Sequence, residues 1–495
     1  MQRAAYDFAV IGGGILGLSH AAAAAAAGLR TIVVEREARG ASSASVRNFG
    51  LLTQLYDAPG PWGARARRSR ELYAAWAAAE PSLPLTRVGS LQLAQTPLQS
   101  ELLRAYAAAA PAAGYRAALV TREEAEALAP ALAGAAAAPR GGGAPICALH
   151  FPDDALLEPR LMFARGAGLP ALLERAGVAF AWGSPCVALR GGGNGESGSG
   201  GVELTLADGS RVTAARAALC AGADVASLLP QALAWERRHL RLCKLQMLRL
   251  RLPAGSGGGG GGGGGAAGAP QPVLTSGLSL RRYPGPAALC PAAHGAMMEG
   301  DAPACEAAEA LGVHIIARPA PALPRTAFGG LAAAARGGGG GGGGPLDFGS
   351  SSEWVVGDSH EYRGVDPTGG GASLGGPAGD TPLDEVCHES VTDAILREAA
   401  GMLRGVGALA EWRGGGGGGG APRAALLAQW SGTYLEHAAG LLQLHAAVGA
   451  GGEPRRLPEE AFGDANVHVV TGIGGKGMTM GPAVGAENVA RWFAQ

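Results

Sequence analysis

The sequence predicts an α/β fold that opens with a Rossmann-type βαβ unit, and three consecutive features predict it. Residues Tyr6 to Ile11 are mostly apolar, as in a buried parallel strand. After a glycine-rich segment, Ser19 to Gly28 has the composition of an alanine-rich helix that ends at glycine. Thr31 to Val34 are all β-branched and predict a second strand. The unit has the length expected of one right-handed crossover, about 30 residues.

The glycine-rich segment, Gly12 to Gly17 (GGGILG), satisfies the G-x-G-x-x-G pattern of dinucleotide-binding proteins. Gly12 permits the tight turn, Gly14 lets the backbone approach a pyrophosphate, and Gly17 allows close helix–strand packing. Glu35 lies 23 residues after Gly12, where a carboxylate accepts hydrogen bonds from an adenosine ribose and repels the 2′-phosphate of NADP. The predicted cofactor-binding residues of this unit are Gly12, Gly14, Ile15, Leu16, Gly17, Glu35 and Arg36.

NAD and FAD share this pattern, and the loop from Arg39 to Gly50 (RGASSASVRNFG) helps to choose between them. In flavoproteins a Ser/Gly-rich loop passes beside the pyrophosphate and ribitol at this position. A capped turn is the alternative explanation of the same residues. The residues of this loop that we expect to contact the cofactor are Ser42, Ser43, Ser45, Asn48 and Gly50.

The far C-terminus repeats the order of strand, glycine-rich loop and helix. Val467 to Val470 is apolar, Thr471 to Pro482 reads TGIGGKGMTMGP, and Ala483 to Phe493 is amphipathic. Such a loop can direct N–H groups at the N1/C2 edge of a flavin, which becomes anionic on reduction. NAD would not require the C-terminus to return to the site, so this segment favours FAD. The predicted contacts are Gly472, Gly474, Gly475, Lys476, Gly477 and Met478, and Lys476 is equally well explained as a solvated loop lysine.

Two segments in the middle of the chain are expected to complete the cofactor site. A strand around Cys186 to Leu189 and an apolar strand that ends near Gly222 both fit beside the first βαβ unit. We expect Val187, Ala221 and Gly222 to approach the cofactor, although an ordinary strand end explains the last two nearly as well.

Composition excludes several classes of function. The chain has 495 residues and a formal net charge of -1, which argues against a nucleic-acid or anionic-membrane partner. Seven cysteines without a C-x-x-C pair argue against a disulfide scaffold and a zinc site, and no metal is expected. Ala21 to Ala27 is too short to span a membrane. The first strand begins close to Met1, so we expect no targeting peptide and a cytoplasmic location.

Four glycine-rich stretches interrupt the pattern and predict mobile loops inserted into an older fold. They are Gly191 to Gly201, Gly255 to Gly268, Gly337 to Gly344 and Gly414 to Gly420. Glycine runs lose much backbone entropy on ordering and bring no side chains to bury. Insertions at hairpin tips cost little, because loop-closure entropy grows only logarithmically with length.

Beyond these motifs, the chain resembles the D-amino-acid oxidase, glycine oxidase and sarcosine oxidase superfamily of flavoproteins, apart from the glycine-rich insertions. Four segments resemble a narrower clade found beside phosphonate-catabolism genes: Ala44 to Gly50 (ASVRNFG), Cys243 to Leu248 (CKLQML), Gly357 to Tyr362 (GDSHEY) and Thr471 to Gly481 (TGIGGKGMTMG). The resemblance implies a Rossmann-type FAD-binding domain interleaved with an α+β substrate domain whose mixed or antiparallel sheet covers the flavin ring. It implies an FAD-binding domain of residues 1–85, 151–235 and 430–495, and a substrate domain of residues 86–150 and 236–429.

The chemistry that the resemblance implies is oxidation of a C–N bond in a small amine, an amino acid or aminophosphonate. Hydride passes to flavin N5, the imine is hydrolysed, and O2 or another acceptor takes the electrons. Some members attach FAD to a late cysteine, but Gln429 to His437 (QWSGTYLEH) contains none, so we expect non-covalent FAD.

Such a reaction needs groups that hold the amine near the flavin and bind the acid group of the substrate. A cation is expected there, ideally arginine. Candidate catalytic residues are Arg47, Lys244, Tyr283 and His360, with Arg281 and Arg282 as further candidate cations on a predicted strand from Leu278 to Tyr283. Tyr362 and Tyr434 could line the pocket or pack in the core.

Two other functions stay open on the sequence. An NAD-dependent dehydrogenase explains residues 6–35 equally well but leaves the C-terminal loop unexplained. A non-catalytic FAD-binding protein would result if the glycine insertions disrupt the substrate domain.

Overall fold

The computed structural model describes residues 5–56, 59–83, 85–133, 145–191, 201–253, 271–301, 313–320, 352–364, 387–403, 406, 409, 424–449 and 451–494. The long glycine runs fall within 192–200, 254–270, 321–351 and 410–423, so the mobility predicted for them concerns residues outside the described ones.

Five parallel strands form the centre of the first sheet. Their order is β21 (Val467–Thr471), β12 (Arg211–Leu219), β1 (Tyr6–Ile11), β2 (Thr31–Glu35) and β9 (Ala179–Trp182). Residues of β1 are buried on both faces: Phe8 and Val10 pack in one core, and Ala9 and Ile11 pack in the core on the opposite face. This explains why the segment is apolar without alternation. Numbered along the chain, the strands of this sheet are β1 (Tyr6–Ile11), β2 (Thr31–Glu35), β9 (Ala179–Trp182), β10 (Cys186–Gly191), β11 (Val202–Leu206), β12 (Arg211–Leu219), β19 (Leu442–Val448), β20 (Pro454–Leu457) and β21 (Val467–Thr471).

The second sheet is mixed and mostly antiparallel. Its central strand, β13 (Leu240–Arg251), pairs over its whole length with β18 (Ala425–His437), and this pairing places Cys243 opposite Tyr434. The strands of this sheet are β5 (Ser90–Ala94), β6 (Ala118–Thr121), β7 (Cys147–Phe151), β13 (Leu240–Arg251), β14 (Val273–Thr275), β15 (Ile316–Pro319), β16 (Glu353–Gly357), β17 (Glu361–Gly364) and β18 (Ala425–His437). A small third sheet consists of β3 (Leu51–Leu52), β4 (Leu85–Arg87) and β8 (Ala155–Leu157).

Helices cover the sheets, and the first and last helices pack against each other on the first sheet. The helices of the described residues are α1 (Ile15–Ala26), α2 (Pro61–Ala79), α3 (Pro97–Ala109), α4 (Arg122–Leu128), α5 (Pro159–Met162), α6 (Gly168–Arg175), α7 (Val225–Leu228), α8 (Pro230–Glu236), α9 (Pro284–Leu289), α10 (Pro291–Gly300), α11 (Glu389–Ala399) and α12 (Gly477–Phe493). Among them, no helix combines the length and apolar character needed to cross a membrane. The α/β class predicted from the sequence is confirmed.

The predicted strand from Leu278 to Tyr283 is wrong. Residues Gly277–Arg281 form a 3-10 helix, and Tyr283 is the residue before α9. Pro284 occupies the first position of α9, where its missing N–H costs nothing. On a strand, Arg281 and Arg282 would point to opposite faces; at the end of a 3-10 helix this alternation does not apply.

The buried carboxylates of Asp154 and Glu158 form hydrogen bonds with residues that are distant in sequence. Asp154 is fully buried and accepts hydrogen bonds from Ser90 Oγ at 2.6 Å and from the Gln54 N–H at 2.9 Å. Burial raises its pKa to about 6, although these hydrogen bonds act in the opposite direction. Glu158 accepts a charge-assisted hydrogen bond at 3.0 Å from Arg318 of β15, and both side chains are buried.

Candidate active site

A cavity of about 510 Å³ opens where the carboxyl ends of the parallel strands meet. Residues that follow β1, β2, β12 and β21 line one side, and the second sheet lines the other. In open α/β sheets this edge is the usual place of ligand binding, because loops and helix N-termini converge there.

The turn after β1 requires glycine at two positions. Gly12 has a φ of 106°, and a Cβ there would lie 2.5 Å from the backbone oxygen of Cys220. A Cβ on Gly17 would lie 1.8 Å from the backbone oxygen of Gly12. A side chain at either position would push the turn away from β12 or lift α1 off the turn. The glycines thus keep the backbone and the start of α1 against the cavity.

The N-terminus of α1 faces this cavity. Gly14 precedes the helix and offers no side-chain cap, and Ser45 Oγ accepts the Ile15 N–H at 3.0 Å. Gly14, Ile15, Leu16 and Ser45 all line the cavity. A helix N-terminus carries partial positive charge and free N–H groups, so this is a favourable place for a phosphate.

Glu35 ends β2 at the same edge, with 6% of its surface exposed. Its Oε2 accepts the Gly13 N–H at 2.5 Å, and its Oε1 accepts the Glu37 N–H at 2.9 Å. Arg36 also lines the cavity, and its guanidinium pairs with Asp224 at 2.6 Å. The Glu35 carboxylate therefore fixes the glycine turn at the edge of the cavity, and its bond to a ribose stays a prediction.

The Ser/Gly-rich loop lines the cavity through Ser42, Ser43, Ser45, Asn48 and Gly50. Asn48 Nδ2 donates to the Ala44 oxygen at 2.8 Å, and its Oδ1 accepts the Gly50 N–H at 2.7 Å. Asn48 thus closes its own turn, as the capped-turn explanation required. The serine side chains provide the polar surface of this loop.

Arg47 joins this loop to the second sheet. Its Nε donates to the Ser42 oxygen at 2.9 Å, and its Nη1 donates to the Ser431 oxygen of β18 at 3.0 Å. A Cβ on Gly432 would lie 2.9 Å from the Cβ of Arg47, so β18 approaches the loop closely. Arg47 lines the cavity, but these two bonds make it a link between the loop and β18.

The C-terminal loop and the end of β12 complete the first side. Ala221, Gly222, Gly472, Gly474, Gly475, Gly477 and Met478 all line the cavity. Lys476 is not among the lining residues, and its Nζ lies 5.7 Å from the centre of the Trp62 ring. Val187 is also outside the lining and is 54% exposed, whereas its neighbours Pro185 and Cys186 line the cavity. Val187 lies at the register shift between Cys186 and Ala188, and its side chain faces solvent instead of the cavity.

The second sheet supplies the opposite side of the cavity. The strands contribute Leu245, Ile316, Thr433, Tyr434 and Leu435, and the segments next to the strands contribute Tyr283, His314, Asp358 and His360. Lys244 is buried but is not one of them. It alternates with Leu245 and shares a strand face with Gln246, whose amide donates to Thr392 of α11 at 2.7 Å. Lys244 thus lies on the face away from the cavity.

His314, Asp358 and His360 form a compact cluster on this side. His314 Nε2 lies 2.8 Å from Asp358 Oδ1, and His360 Nδ1 lies 3.7 Å from the same oxygen. The two imidazole rings are stacked with centroids 5.0 Å apart. Ser279 Oγ lies 3.0 Å from the other nitrogen of His314. Burial acts to raise the pKa of Asp358, but His360, His314 and Arg282 outweigh it and lower that pKa below its ordinary value.

Sequence reasoning proposed His360 but missed His314 and Asp358. Asp358 stands in the GDSHEY segment, whereas His314 lies in a segment without a local pattern. The ligand atoms of the three residues lie within 4.8 Å of one another, a donor set that could also hold a divalent metal ion, where none was expected from the sequence.

The first side of the cavity fits FAD. The glycine turn that a Cβ would fill, the helix N-terminus and Glu35 match an adenosine diphosphate, and the loops of β12 and β21 extend the lining toward the second sheet. Because both sheets contribute to this lining, it suits a ligand that extends from the glycine turn to the second sheet.

Comparisons with known proteins agree with this geometry. Glycine oxidase from Geobacillus kaustophilus has a similar structure, with a TM-score of 0.60 and 18% identity over 98% of this chain and 95% of that chain. L-Proline dehydrogenase from P. horikoshii has a TM-score of 0.59 and 14% identity over 99% of this chain and 93% of that chain. Iminodiacetate oxidase from Chelativorans sp. BNC1 has a TM-score of 0.55 and 17% identity over 98% and 94%. At these identities the likeness shows a shared fold. No curated protein sequence matches the chain.

The model of the DAO family, described as FAD dependent oxidoreductase, matches residues 7–278, which is more than half of the chain. FAD is therefore the cofactor, and the NAD alternative is not retained. The match begins inside β1 and includes the glycine turn, the Ser/Gly-rich loop and the end of β12. The chain belongs to the DAO family of FAD-dependent oxidoreductases.

Proposed function

We propose that this enzyme oxidises the C–N bond of a small amine that carries an acid group, either an amino acid or an aminophosphonate. The observation that carries the proposal is the shared cavity, in which the dinucleotide side of the first sheet faces ionisable side chains of the second. The three structures cited above are named for glycine, L-proline and iminodiacetate, and all three substrates are amines with a carboxylate. This supports the substrate class without choosing a member of it.

The cofactor residues proposed from the sequence are retained where they line the cavity. Among the proposed residues, Gly17, Lys476 and Val187 fall outside the lining. Gly17 packs against the backbone of the glycine turn, whereas Lys476 and Val187 are the weakest assignments. Non-covalent attachment is supported by β18, whose cavity-facing residues include Thr433 and Tyr434 and no cysteine.

When bound, FAD supplies the hydride acceptor, at its N5 atom, and the imine product then hydrolyses to a carbonyl compound. The chain has to hold the carbon that bears the amine against this atom and to exclude water from the reacting centre. Leu245 and Ile316 give the second side of the cavity an apolar surface, and His360 and Tyr434 give it polar groups. These residues can orient a small polar substrate between the two sheets.

We further propose that the two large sheets correspond to the two interleaved domains. The segments 1–85 and 151–235 contribute strands to the first sheet, and 86–150 contributes strands to the second. The boundary after residue 429 falls inside β18, which pairs with β13. Sheet membership favours placing that boundary after His437.

An aminophosphonate is our preferred substrate within the class, because the four segments quoted above resemble the phosphonate-associated clade. A phosphonate carries up to two negative charges and needs more positive charge in the pocket than a carboxylate does. In this proposal, O2 or another electron acceptor then reoxidises the flavin.

The test is anaerobic reduction of the purified flavoprotein by 2-aminoethylphosphonate, N-methylated amino acids and D-amino acids. We expect one class to bleach the flavin and to yield a trappable carbonyl compound, and admitting O2 afterwards tests the acceptor. Flavin that dithionite reduces but none of these amines does would contradict the proposal and favour a non-catalytic FAD-binding role. His360→Gln should slow reduction by the amine, because His360 lines the cavity. His239→Gln is the matched control, because His239 is exposed and outside the cavity lining.

A further inference from the structure

Two arginines lie side by side on the second sheet, beyond the residues that line the cavity. Val355 of β16 pairs with Arg249 of β13 on one side and with Arg318 of β15 on the other. Directly paired residues of neighbouring strands point to the same face of a sheet, so both arginines share the face of Val355. Ile316, two residues before Arg318, lies on this face too and lines the cavity, whereas neither arginine does.

Helix α5 adds a third arginine to this face. Glu158, the residue before α5, is buried and accepts a hydrogen bond from Arg318 Nη2 at 3.0 Å. Arg160, inside the helix, is half-buried, and its guanidinium lies over the Trp430 ring, 5.5 Å from the ring centre. Within the part of the chain that the structure describes, this guanidinium forms no ion pair. Arg160, Arg249 and Arg318 are called the arginine cluster below.

Positive charge exceeds negative charge around the arginine cluster. Glu353 of β16 accepts hydrogen bonds from Arg249 at 2.8 Å and from Arg251 at 2.9 Å. Glu158 is the carboxylate next to the other two members of the cluster. Among the described residues, four arginines therefore share two carboxylates.

This excess of charge acts on Arg160. Burial lowers the pKa of Arg160, and the charges of Arg249 and Arg318 act in the same direction, although Glu158 opposes them. The charged form of Arg160 is thus destabilised by its surroundings, and an anion beside it would stabilise that form.

Arg318 has a hydrogen-bond donor that the described residues do not use. The residue is 3% exposed, Nη1 donates to the Pro319 oxygen at 3.3 Å, and Nη2 donates to Glu158. The Nε atom has no acceptor among the described residues. A buried donor without an acceptor loses its hydration with nothing in return, and buried polar groups in native proteins are nearly always hydrogen-bonded. An acceptor from a bound molecule would meet this requirement.

We propose that the arginine cluster binds a phosphate or phosphonate dianion, which accepts hydrogen bonds from the Arg160 guanidinium and from Arg318 Nε. Guanidinium groups bind tetrahedral oxyanions through charge-assisted hydrogen bonds. Two negative charges match the two carboxylates by which the glutamates fall short of the arginines. Trp430 provides the apolar wall of the site. No covalent bond forms or breaks, and the proposal does not depend on the proposed function.

This anion site is separate from the cavity. An apolar cluster that includes Phe49, Met247, Ile316 and Val355 extends from the cavity lining to the sheet face beside Arg249 and Arg318. A bound anion would connect α5 to the second sheet without contacting FAD or the amine. We therefore expect it to stabilise the fold and to leave the absorption spectrum of the flavin unchanged.

The experiment measures binding of radiolabelled inorganic phosphate to the FAD-loaded enzyme by equilibrium dialysis, at constant chloride and about pH 8, where phosphate is mostly a dianion. We expect saturable binding of one phosphate per chain and a melting temperature that rises with phosphate concentration, as mass action requires. Methylphosphonate, as a competitor, tests the phosphonate as the source of the same chemistry. Acetate, with a single charge, should compete less well than either.

Variants test the two proposed donors. Arg160→Gln should weaken phosphate binding by roughly 10-fold to 100-fold, because it removes a charged donor. Arg318→Lys should also weaken it, since lysine keeps the charge but lacks the Nε–H. Arg68→Gln is the matched control, because Arg68 is exposed on α2 and pairs with Glu71, and it should bind phosphate as the wild type does.

A wild-type enzyme that binds neither phosphate nor methylphosphonate would overturn the proposal. Binding that Arg160→Gln leaves unchanged would overturn it as well, and this variant decides the question even if Arg318→Lys does not fold. Phosphate binding that perturbs the flavin spectrum would place the anion in the cavity and would also contradict the proposal. Reduction of the flavin by amines is measured separately, so failure of the anion site and failure of the proposed function are distinguishable.

Discussion

Replacing Gly17 with alanine should separate α1 from the glycine turn and weaken FAD binding. The added Cβ would lie 1.8 Å from the Gly12 oxygen, whereas ordinary contacts begin at 3.4 Å. The helix and the turn would therefore have to move apart by at least 1.6 Å, the difference between these distances. The obstructing atom belongs to the backbone, so no side-chain rotation relieves the overlap. Overpacking of this kind costs about 1–3 kcal/mol, occasionally more.

The same displacement acts on the cofactor. Moving the turn away from the N-terminus of α1 would break at least one backbone hydrogen bond to the pyrophosphate, and a hydrogen bond to a charged group contributes about 1.5–3 kcal/mol. FAD affinity should fall by roughly 10-fold to 100-fold, because each 1.4 kcal/mol is about a factor of ten. Fluorescence titration of the apoprotein with FAD measures this, together with urea unfolding. Gly295→Ala is the matched control, since nothing lies within 4 Å of its added Cβ. A Gly17→Ala variant with wild-type FAD affinity and stability would refute this reasoning.

Three further predictions follow from buried or cavity-lining carboxylates. Glu35→Gln should weaken FAD binding about tenfold, because a neutral amide accepts the Gly13 N–H and binds a ribose less strongly than a carboxylate does. Glu37→Gln is the control and should leave FAD affinity unchanged. Equal FAD affinities of the two variants would contradict the assignment of Glu35. The native state holds the Asp154 proton more tightly than the unfolded chain, since its pKa is about 6 instead of 3.8. That carboxyl therefore lowers the free energy of unfolding as pH rises from about 4 to about 6, by on the order of 2 kcal/mol. Urea unfolding at about pH 4 and about pH 6 measures the free energy of unfolding of Asp154→Asn relative to wild type. This difference should shift in favour of the variant by about that amount as pH rises, and a difference that does not change with pH would disprove the prediction. Glu158→Gln should destabilise the fold by about 3–5 kcal/mol in the same assay, because it leaves the buried Arg318 guanidinium without its counter-charge; a loss below about 1 kcal/mol would show that the pair contributes little.

The parts of the fold that the sequence predicted are those fixed by local chemistry. The bounds of β1 agree with the predicted Tyr6 to Ile11, because a buried parallel strand needs a short apolar run before the turn. Helix boundaries were less accurate: α1 begins at Ile15 instead of Ser19, and α12 begins at Gly477 instead of Ala483. In both cases the helix starts inside the glycine-rich segment, where packing at the cavity edge overrides the low helix propensity of glycine.

The second side of the cavity could not be predicted in the same way, because it depends on which strand face meets the first sheet. Lys244 and Leu245 are neighbours in sequence, but alternation places only Leu245 on the cavity. His314 lies on a short segment beside β15, and its approach to Asp358 depends on the pairing of β15 with β16. Neither the alternation phase nor this pairing is visible in a single sequence. Arg47 was predicted beside the cofactor, but only the structure shows its bond to Ser431 of β18.

The most direct test of the central claim is the visible spectrum of the purified protein before and after anaerobic addition of the amine panel. The account predicts a yellow protein that releases FAD on acid precipitation, as expected for a non-covalent cofactor, and whose flavin absorption bleaches with an acid-bearing amine. A colourless protein that takes up no FAD on reconstitution would contradict it.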